Sequence, residues 1–217
     1  MTLRERLKFY DSPEGAQEYL DEYRKFHRRL SDRRERRILT RWLAQMGTLD
    51  RALDLPCGFG RYYGLLRAQS RRMIEADYSR DMVKAALSRG GGGGAPPAGF
   101  RCFGHQIPLR DRAVDLAFSM RLSHHLVDPE TRRAHLREIF RVSSRWAIFS
   151  YFDHASAKNL LRRARTRVGL TRKPPKSTLR RSEVRALAEE AGFRVLEEPW
   201  LFAIGSGHRL VLGERAR

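Results

Sequence analysis

The sequence predicts an α/β fold in which a mostly parallel sheet is covered by helices on both faces, and three observations carry that prediction. From residue 52 onward, apolar runs of strand length alternate with segments of helical period: ALDL (52–55), GRYYGLLRAQ (60–69), RMIEAD (72–77) and SRDMVKAALSR (79–89). The joins between them are short and rich in glycine, proline, serine and aspartate. The last two apolar runs, FRVLEE (193–198) and HRLVLG (208–213), have no long helix between them, so an antiparallel addition at one edge of the sheet is expected.

Each element follows from its own residues. Residues 12–46 read as helices, because Phe26, Leu30, Ile38, Leu39, Trp42, Leu43 and Met46 recur at helical spacing and Gly47 stops the pattern. The run RRLSDRRERR reads as a solvated face, with Asp32 and Arg36 one turn apart to pair. The tract GGGGGAPPAG (90–99) is a loop. RCF (101–103), AVDLAFSM (113–120) and RWAIFSYF (145–152) read as strands. Asp128 is placed to cap a helix over 128–142, with Pro129 at the first helical position, where a missing N–H costs nothing. Ser182 is the expected cap of a helix running to Gly192. The expected organisation is a helical extension (1–46), then a core (47–217) carrying a basic insertion at 154–181.

Composition narrows the class. A chain of 217 residues suits one α/β domain with additions. No apolar run approaches the roughly 18 residues needed to span a bilayer, and the start MTLRERLKFYDS lacks the apolar stretch of a secretory signal. Cys57 and Cys102 are too few for a disulfide framework or a thiolate zinc site, so the expectation is a soluble, cytoplasmic protein without a structural metal. The net charge of +19 has two readings. Only six of the 44 basic residues are lysine, an arginine excess that a GC-rich genome would produce unaided. Otherwise the charge points to an anionic partner: a nucleic acid, an acidic membrane surface, or a phosphorylated or carboxylated substrate.

The stretch LDLPCGFGR (53–61) holds the candidate site. In an open α/β sheet, ligands sit beyond the carboxyl ends of the strands, where the strand order reverses. Gly58 and Gly60 let the backbone approach a ligand, and Asp54 adds a charge at the strand end. Asp77 follows 23 residues after Asp54, an acid placed to accept hydrogen bonds from the two hydroxyls of a ribose. An adenosine-containing ligand fits. A nicotinamide dinucleotide fits poorly, because Gly58-Phe59-Gly60 is followed by Arg61, Tyr62 and Tyr63 rather than by the third glycine of G-x-G-x-x-G. A carboxylate there also suits a ligand with a cationic amino group better than a pyrophosphate.

Taken in order, LDLPCGFGR, EADYSRDMVKAA, IPLRDRAVDLAFSMRLSHHLVDPE and SYFD resemble the class I S-adenosylmethionine-dependent methyltransferases. Within that class they are most similar to the bacterial small-molecule group near the ubiquinone and menaquinone C-methyltransferases. The resemblance spans about Ala52 to Asp153. It implies a Rossmann-like, doubly wound, seven-stranded sheet with a reversed last strand, and S-adenosylmethionine as cofactor. Carried over by position, Asp54, Pro56, Cys57, Gly58 and Gly60 would line the methionine half, and Asp77 would bind the ribose. Tyr78 and Met82 would pack near the adenine, and Met120 and Arg121 would sit near the transferable methyl. Two positions depart from the pattern. Pro56 stands where the group usually has glycine, and Phe103 stands where it often has the aspartate that accepts the adenine amino group, which leaves Gly104 or His105 to approach the base.

His124 and His125 are the candidate general bases, since imidazole titrates near neutrality; the competing reading is that both only cap or pack under the following loop. No N-P-P-Y segment follows the fourth strand, where Ser119-Met120-Arg121-Leu122 stands, which disfavours methylation of adenine N6 or a glutamine amide. Substrate choice would fall to residues 1–46, with Tyr10 and Tyr19 closing over the cofactor, and to the basic insertion. Within the latter, LLRRARTRVGL reads either as a basic amphipathic helix near anionic headgroups or an acidic substrate, or as a solvated lid. The expected acceptor is a small anionic or lipid-linked metabolite, methylated at oxygen or carbon, with peripheral contact to an anionic membrane surface. Two alternatives stand beside it: a methyltransferase of structured RNA, disfavoured because the basic stretches lack an aromatic stacking platform, and a cofactor-binding accessory protein without turnover.

Overall fold

The computed structural model describes residues 26–90, 96–170, 177–202 and 206–216. The expectations for Tyr10, Tyr19 and the first half of the N-terminal extension, for most of the glycine tract, and for part of the basic insertion lie outside the described residues. Helix α1 (Phe26–Met46) ends at Gly47, which takes the left-handed conformation (φ +70°) that closes a helix. There follow β1 (Leu49–Asp54), α2 (Tyr63–Arg67), β2 (Ser70–Asp77), α3 (Arg80–Leu87), β3 (Ala98–Arg101) and β4 (Val114–Ser119). The remainder is α4 (Pro129–Val142), β5 (Ser143–Phe152), α5 (Ala157–Arg167), α6 (Arg181–Glu190), β6 (Phe193–Glu197) and β7 (His208–Arg215).

The seven strands form one sheet in the order β3-β2-β1-β4-β5-β7-β6. Strands β1 to β5 pair in parallel, while β7 runs antiparallel to both β5 and β6. The final pair thus forms the antiparallel addition expected at one edge, with the reversed strand β7 inside it, between β5 and β6. Its core residues Leu210, Val211 and Leu212 are buried, as an interior position requires. Consecutive residues of β1 bury on opposite faces: Leu53 packs with Leu136, Phe140 and Val184 of α4 and α6, and Ala52 packs with Trp42, Leu43 and Tyr62 of the α1 side.

Caps fix most helix starts. Ser79 caps α3 by accepting from Met82 N (3.3 Å), and Asp128 caps α4 by accepting from Thr131 N (2.7 Å), ahead of Pro129. The start of α6 differs from expectation: Ser182 lies inside the first turn, and Glu183 Oε2 reaches back to accept from Arg180 N (3.3 Å). Strand β3 also sits three residues earlier than RCF suggested, because Ala98–Arg101 pairs with Ile74–Asp77 while Cys102 and Phe103 turn away.

Candidate functional site

Strand order reverses between β1 and β4, and the carboxyl ends of β1, β2 and β4 converge there. Beyond β1, a cis Leu55–Pro56 peptide leads into a turn closed by Cys57 N donating to Ala76 O (2.9 Å) and Gly60 N to Cys57 O (3.0 Å). Gly58 (φ +54°) and Gly60 (φ +75°) occupy the left-handed region. A Cβ on Gly60 would lie 3.1 Å from Ala86 Cα, so glycine here also admits α3.

Asp54 and its β2 neighbour in register, Glu75, are both fully buried, and none of their four carboxylate oxygens has a hydrogen-bond partner. Burial, then the charges of Glu75 and Asp77, push the Asp54 pKa well up, against the pull of Arg61. Burial likewise pushes Glu75 up to about 8, against the pull of the Cys57 thiol. The Cys57 thiol is itself held protonated by burial and by the three surrounding acids, which removes it as a nucleophile. Two such carboxyls side by side cannot both ionise without a cation between or beside them.

Asp77 is arranged differently. Its oxygens accept from Gly58 N (3.0 Å) and Ser79 N (3.0 Å), so it ties the glycine turn to the start of α3. Beside it, Tyr78 stacks on Phe103 (4.9 Å between centroids) and Phe103 on His105 (5.4 Å), with the Arg101 guanidinium over the Tyr78 ring. Met82 is buried in the first turn of α3.

Above the ends of β1 and β4 lies a clasp that the sequence did not reveal. Glu35 of α1, inside the run expected to be solvated, is fully buried; it accepts from Arg61 Nη2 (2.6 Å), Tyr62 Oη (2.8 Å) and Arg121 Nη2. Burial pushes Glu35 up, but Arg121, Arg61 and the Tyr62 hydroxyl outweigh it and hold the carboxyl below its usual range. Asp32 accepts from Arg36 Nε (3.0 Å), the pairing expected from spacing, and also from Arg61 Nε (2.9 Å). Arg121 sits at φ +64°, unusual for a residue with a side chain, and its N–H donates to Ser150 Oγ (2.8 Å) of β5. Met120, just before it, is buried.

A second unforeseen residue is His135 of α4. Gly104 O can only accept, so His135 Nδ1 donates to it (2.8 Å), and Nε2 then accepts from the Ser119 hydroxyl (3.1 Å). Burial pushes the imidazole down to about 4, so it is neutral. This bridge binds the Gly104–His105 turn to the end of β4, and a Cβ on Gly104 would meet Leu122 Cδ2 at 2.6 Å. His124 and His125 lie elsewhere on the same rim, in a short 3₁₀ turn. His124 stacks on His125 (4.1 Å), on Phe152 (4.4 Å) and against His208 (5.2 Å), at the ends of β5 and β7.

Phe59 and Arg61 of the glycine turn also line a cavity of about 560 Å³ together with Arg29, Arg33 and Arg36 of α1 and Arg89. Five guanidinium groups face it, one of them stacked over the Phe59 ring at 5.3 Å. Among the described residues no cluster of histidine, cysteine and carboxylate side chains is placed to hold a metal.

Residues 53–149 match the family described as "Methyltransferase domain". No curated protein matches the sequence. Among solved structures, the magnesium protoporphyrin IX methyltransferase of Synechocystis PCC 6803 with bound SAH is similar at TM-score 0.71 and 16% identity, over 88% of each chain. A SAM-dependent methyltransferase of Thermotoga maritima, described as a possible histamine N-methyltransferase, is similar at TM-score 0.61 and 15% identity, over 97% of this chain and 99% of that one. The [4+2]-cyclase SpnF is similar at TM-score 0.61 and 15% identity, over 82% and 80%. The architecture is thus the seven-stranded fold of the class I methyltransferases, and the match to the methyltransferase-domain family covers its β1–β5 part.

Proposed function

We propose that the protein transfers a methyl group from S-adenosylmethionine to oxygen or carbon of a small, anionic or lipid-linked acceptor. The supporting observation is the Asp54–Glu75 pair: two buried carboxyls without hydrogen-bond partners beside a glycine turn, which a ligand with a cationic amino group would neutralise. When bound, the cofactor supplies a methyl already activated by its sulfonium. Asp54 would hold its amino group, with Pro56, Cys57, Gly58 and Gly60 shaping the backbone around the methionine half. Asp77, held in place by Gly58 N and Ser79 N, would accept from the ribose hydroxyls. Tyr78, Met82 and the Gly104–His105 turn would enclose the adenine, with the Tyr78–Phe103 stack standing where the resembling group often has an aspartate.

The chain's own work is then to orient the acceptor and exclude water. Met120 and Arg121 would face the methyl, with Arg121 fixed by Glu35 and Ser150. The arginine-lined cavity supports an acceptor with a carboxylate or phosphate: Arg36 and Arg61 are paired with Asp32 and Glu35, and Arg29, Arg33 and Arg89 line it beside them. His124 and His125 remain the candidates for removing an acceptor proton. Their packing on Phe152 and His208 also serves the loop itself.

The test is incubation with methyl-labelled S-adenosylmethionine and cell extract separated into small-molecule, lipid and RNA fractions. Label is expected in an anionic small-molecule or lipid fraction, with loss in Asp77→Ala and a KM for acceptor raised at least about tenfold in Arg33→Ala. Label in RNA alone would replace the acceptor class. Cofactor binding without label in any fraction would leave an accessory protein. Retained turnover in both His124→Gln and His125→Gln would remove the base role.

A further inference from the structure

Helix α5 is turned inside out. Ser156 caps it by accepting from Asn159 N (3.2 Å), and its inward positions are polar: Asn159 is buried and donates to Asp153 O (2.7 Å), while half-buried Arg163 reaches His154 Nδ1 (3.3 Å). Its apolar residues face out, with Leu160 49%, Leu161 54% and Val168 67% exposed. The helix closes at Gly169 (φ +71°), and Leu170 N donates back to Arg165 O (2.8 Å), which fixes a 75% exposed leucine beside that stripe. A helix of a water-soluble domain ordinarily buries the opposite face. Lys158, Arg165 and Arg167 flank the stripe, and no acidic residue occurs between His154 and Leu170.

We propose that α5 and Leu170 dock the protein on the surface of an anionic lipid bilayer, with the leucines and Val168 entering the acyl boundary and the flanking cations meeting headgroup phosphates. Charge complementarity selects this occupant: cations flank an apolar stripe in a segment without acids, which is the pattern of an interfacial helix. Long basic side chains can bury their methylenes and keep their charges among headgroups. The contact is peripheral, since no helix among the described residues is long and apolar enough to cross a membrane. The inference is independent of the acceptor's identity.

Co-sedimentation of the full chain with vesicles tests it. Binding is expected to vesicles of phosphatidylglycerol and phosphatidylcholine, and not to phosphatidylcholine alone. The double substitution Leu161→Gln with Val168→Gln keeps every charge and alters only exposed side chains, so its melting temperature should match the parent's. Its partition to the anionic vesicles should fall at least about tenfold. Equal binding by the double variant would overturn the proposal, leaving only general attraction of a +19 chain. Failure of the parent to bind, or a self-association abolished by the double substitution without vesicle binding, would overturn it as well.

Discussion

Buried acids in the two halves of the sheet are treated in opposite ways. At the β5–β7–β6 half, Glu198 accepts from Tyr151 Oη (2.6 Å), Arg181 Nε (2.5 Å) and Arg185 Nε (3.3 Å), and Asp153 accepts from Arg209 Nε (2.5 Å) and Ala155 N (2.8 Å). At the β1–β2 half, Asp54 and Glu75 are just as buried, and no N–H or O–H group donates to either. Desolvating a carboxyl is costly unless a partner offsets it. One half therefore uses its acids to hold strands and a helix together, while the other keeps buried acids that, under the proposed function, a cationic group of the cofactor would neutralise.

The largest expected effect on stability falls in the satisfied half. Glu198→Ala strands the buried Tyr151 hydroxyl and should destabilise by about 3 kcal/mol, read as a lower melting temperature with unchanged S-adenosylhomocysteine affinity. Weaker affinity at equal stability would break the contrast.

In the unsatisfied half the sign reverses with pH. Glu75 has a folded pKa raised to about 8, so its neutral form is favoured by the fold; the associated stability is present below about pH 4.5 and is lost as pH rises toward 8. Glu75→Gln should be near neutral at pH 5 and stabilise the cofactor-free protein by about 2 kcal/mol at pH 8. Melting curves across that range check it, and a parallel loss at both pH values would sink the idea.

His135 lies between these extremes, as a polar residue satisfied within the chain that supports the candidate site. His135→Leu leaves Ser119 Oγ and Gly104 O unpaired and should cost about 1–2 kcal/mol. Its folded pKa of about 4 lies below the ordinary value near 6.5, so protonation favours the unfolded chain and stability is lost as pH falls through that window. The variant should lose that acid limb, and its cofactor affinity should fall further than its stability does.

Local features were legible from sequence because their partners are close in the chain. The Asp128 cap, the Asp32–Arg36 pair and the glycine turn each depend on residues within a few positions. Glu35 was hidden inside a charged run, since what buries it is Arg61, Tyr62 and Arg121, 26 to 86 residues away. His135 reads as an ordinary helix residue until the fold brings Gly104 beneath it. Glu75 did leave a signal, an acid within the apolar run RMIEAD, but only the register with Asp54 gives it meaning. The place of β7 between β5 and β6 was not legible either, because apolar alternation marks a strand and not its neighbours. Nor does the fold alone fix a reaction: the similarity to SpnF, a cyclase, shows how much rests on the site.

The smallest expected stability effect belongs to Asp54→Asn, and it gives the most direct test. S-adenosylhomocysteine would be titrated calorimetrically into the parent and the variant, with melting curves of both at pH 7. The expected result is micromolar binding by the parent, weakened at least about tenfold in the variant, whose cofactor-free melting temperature is equal or higher. Equal affinity in the two proteins, or no binding by the parent, would contradict the claim that these buried acids await the cofactor.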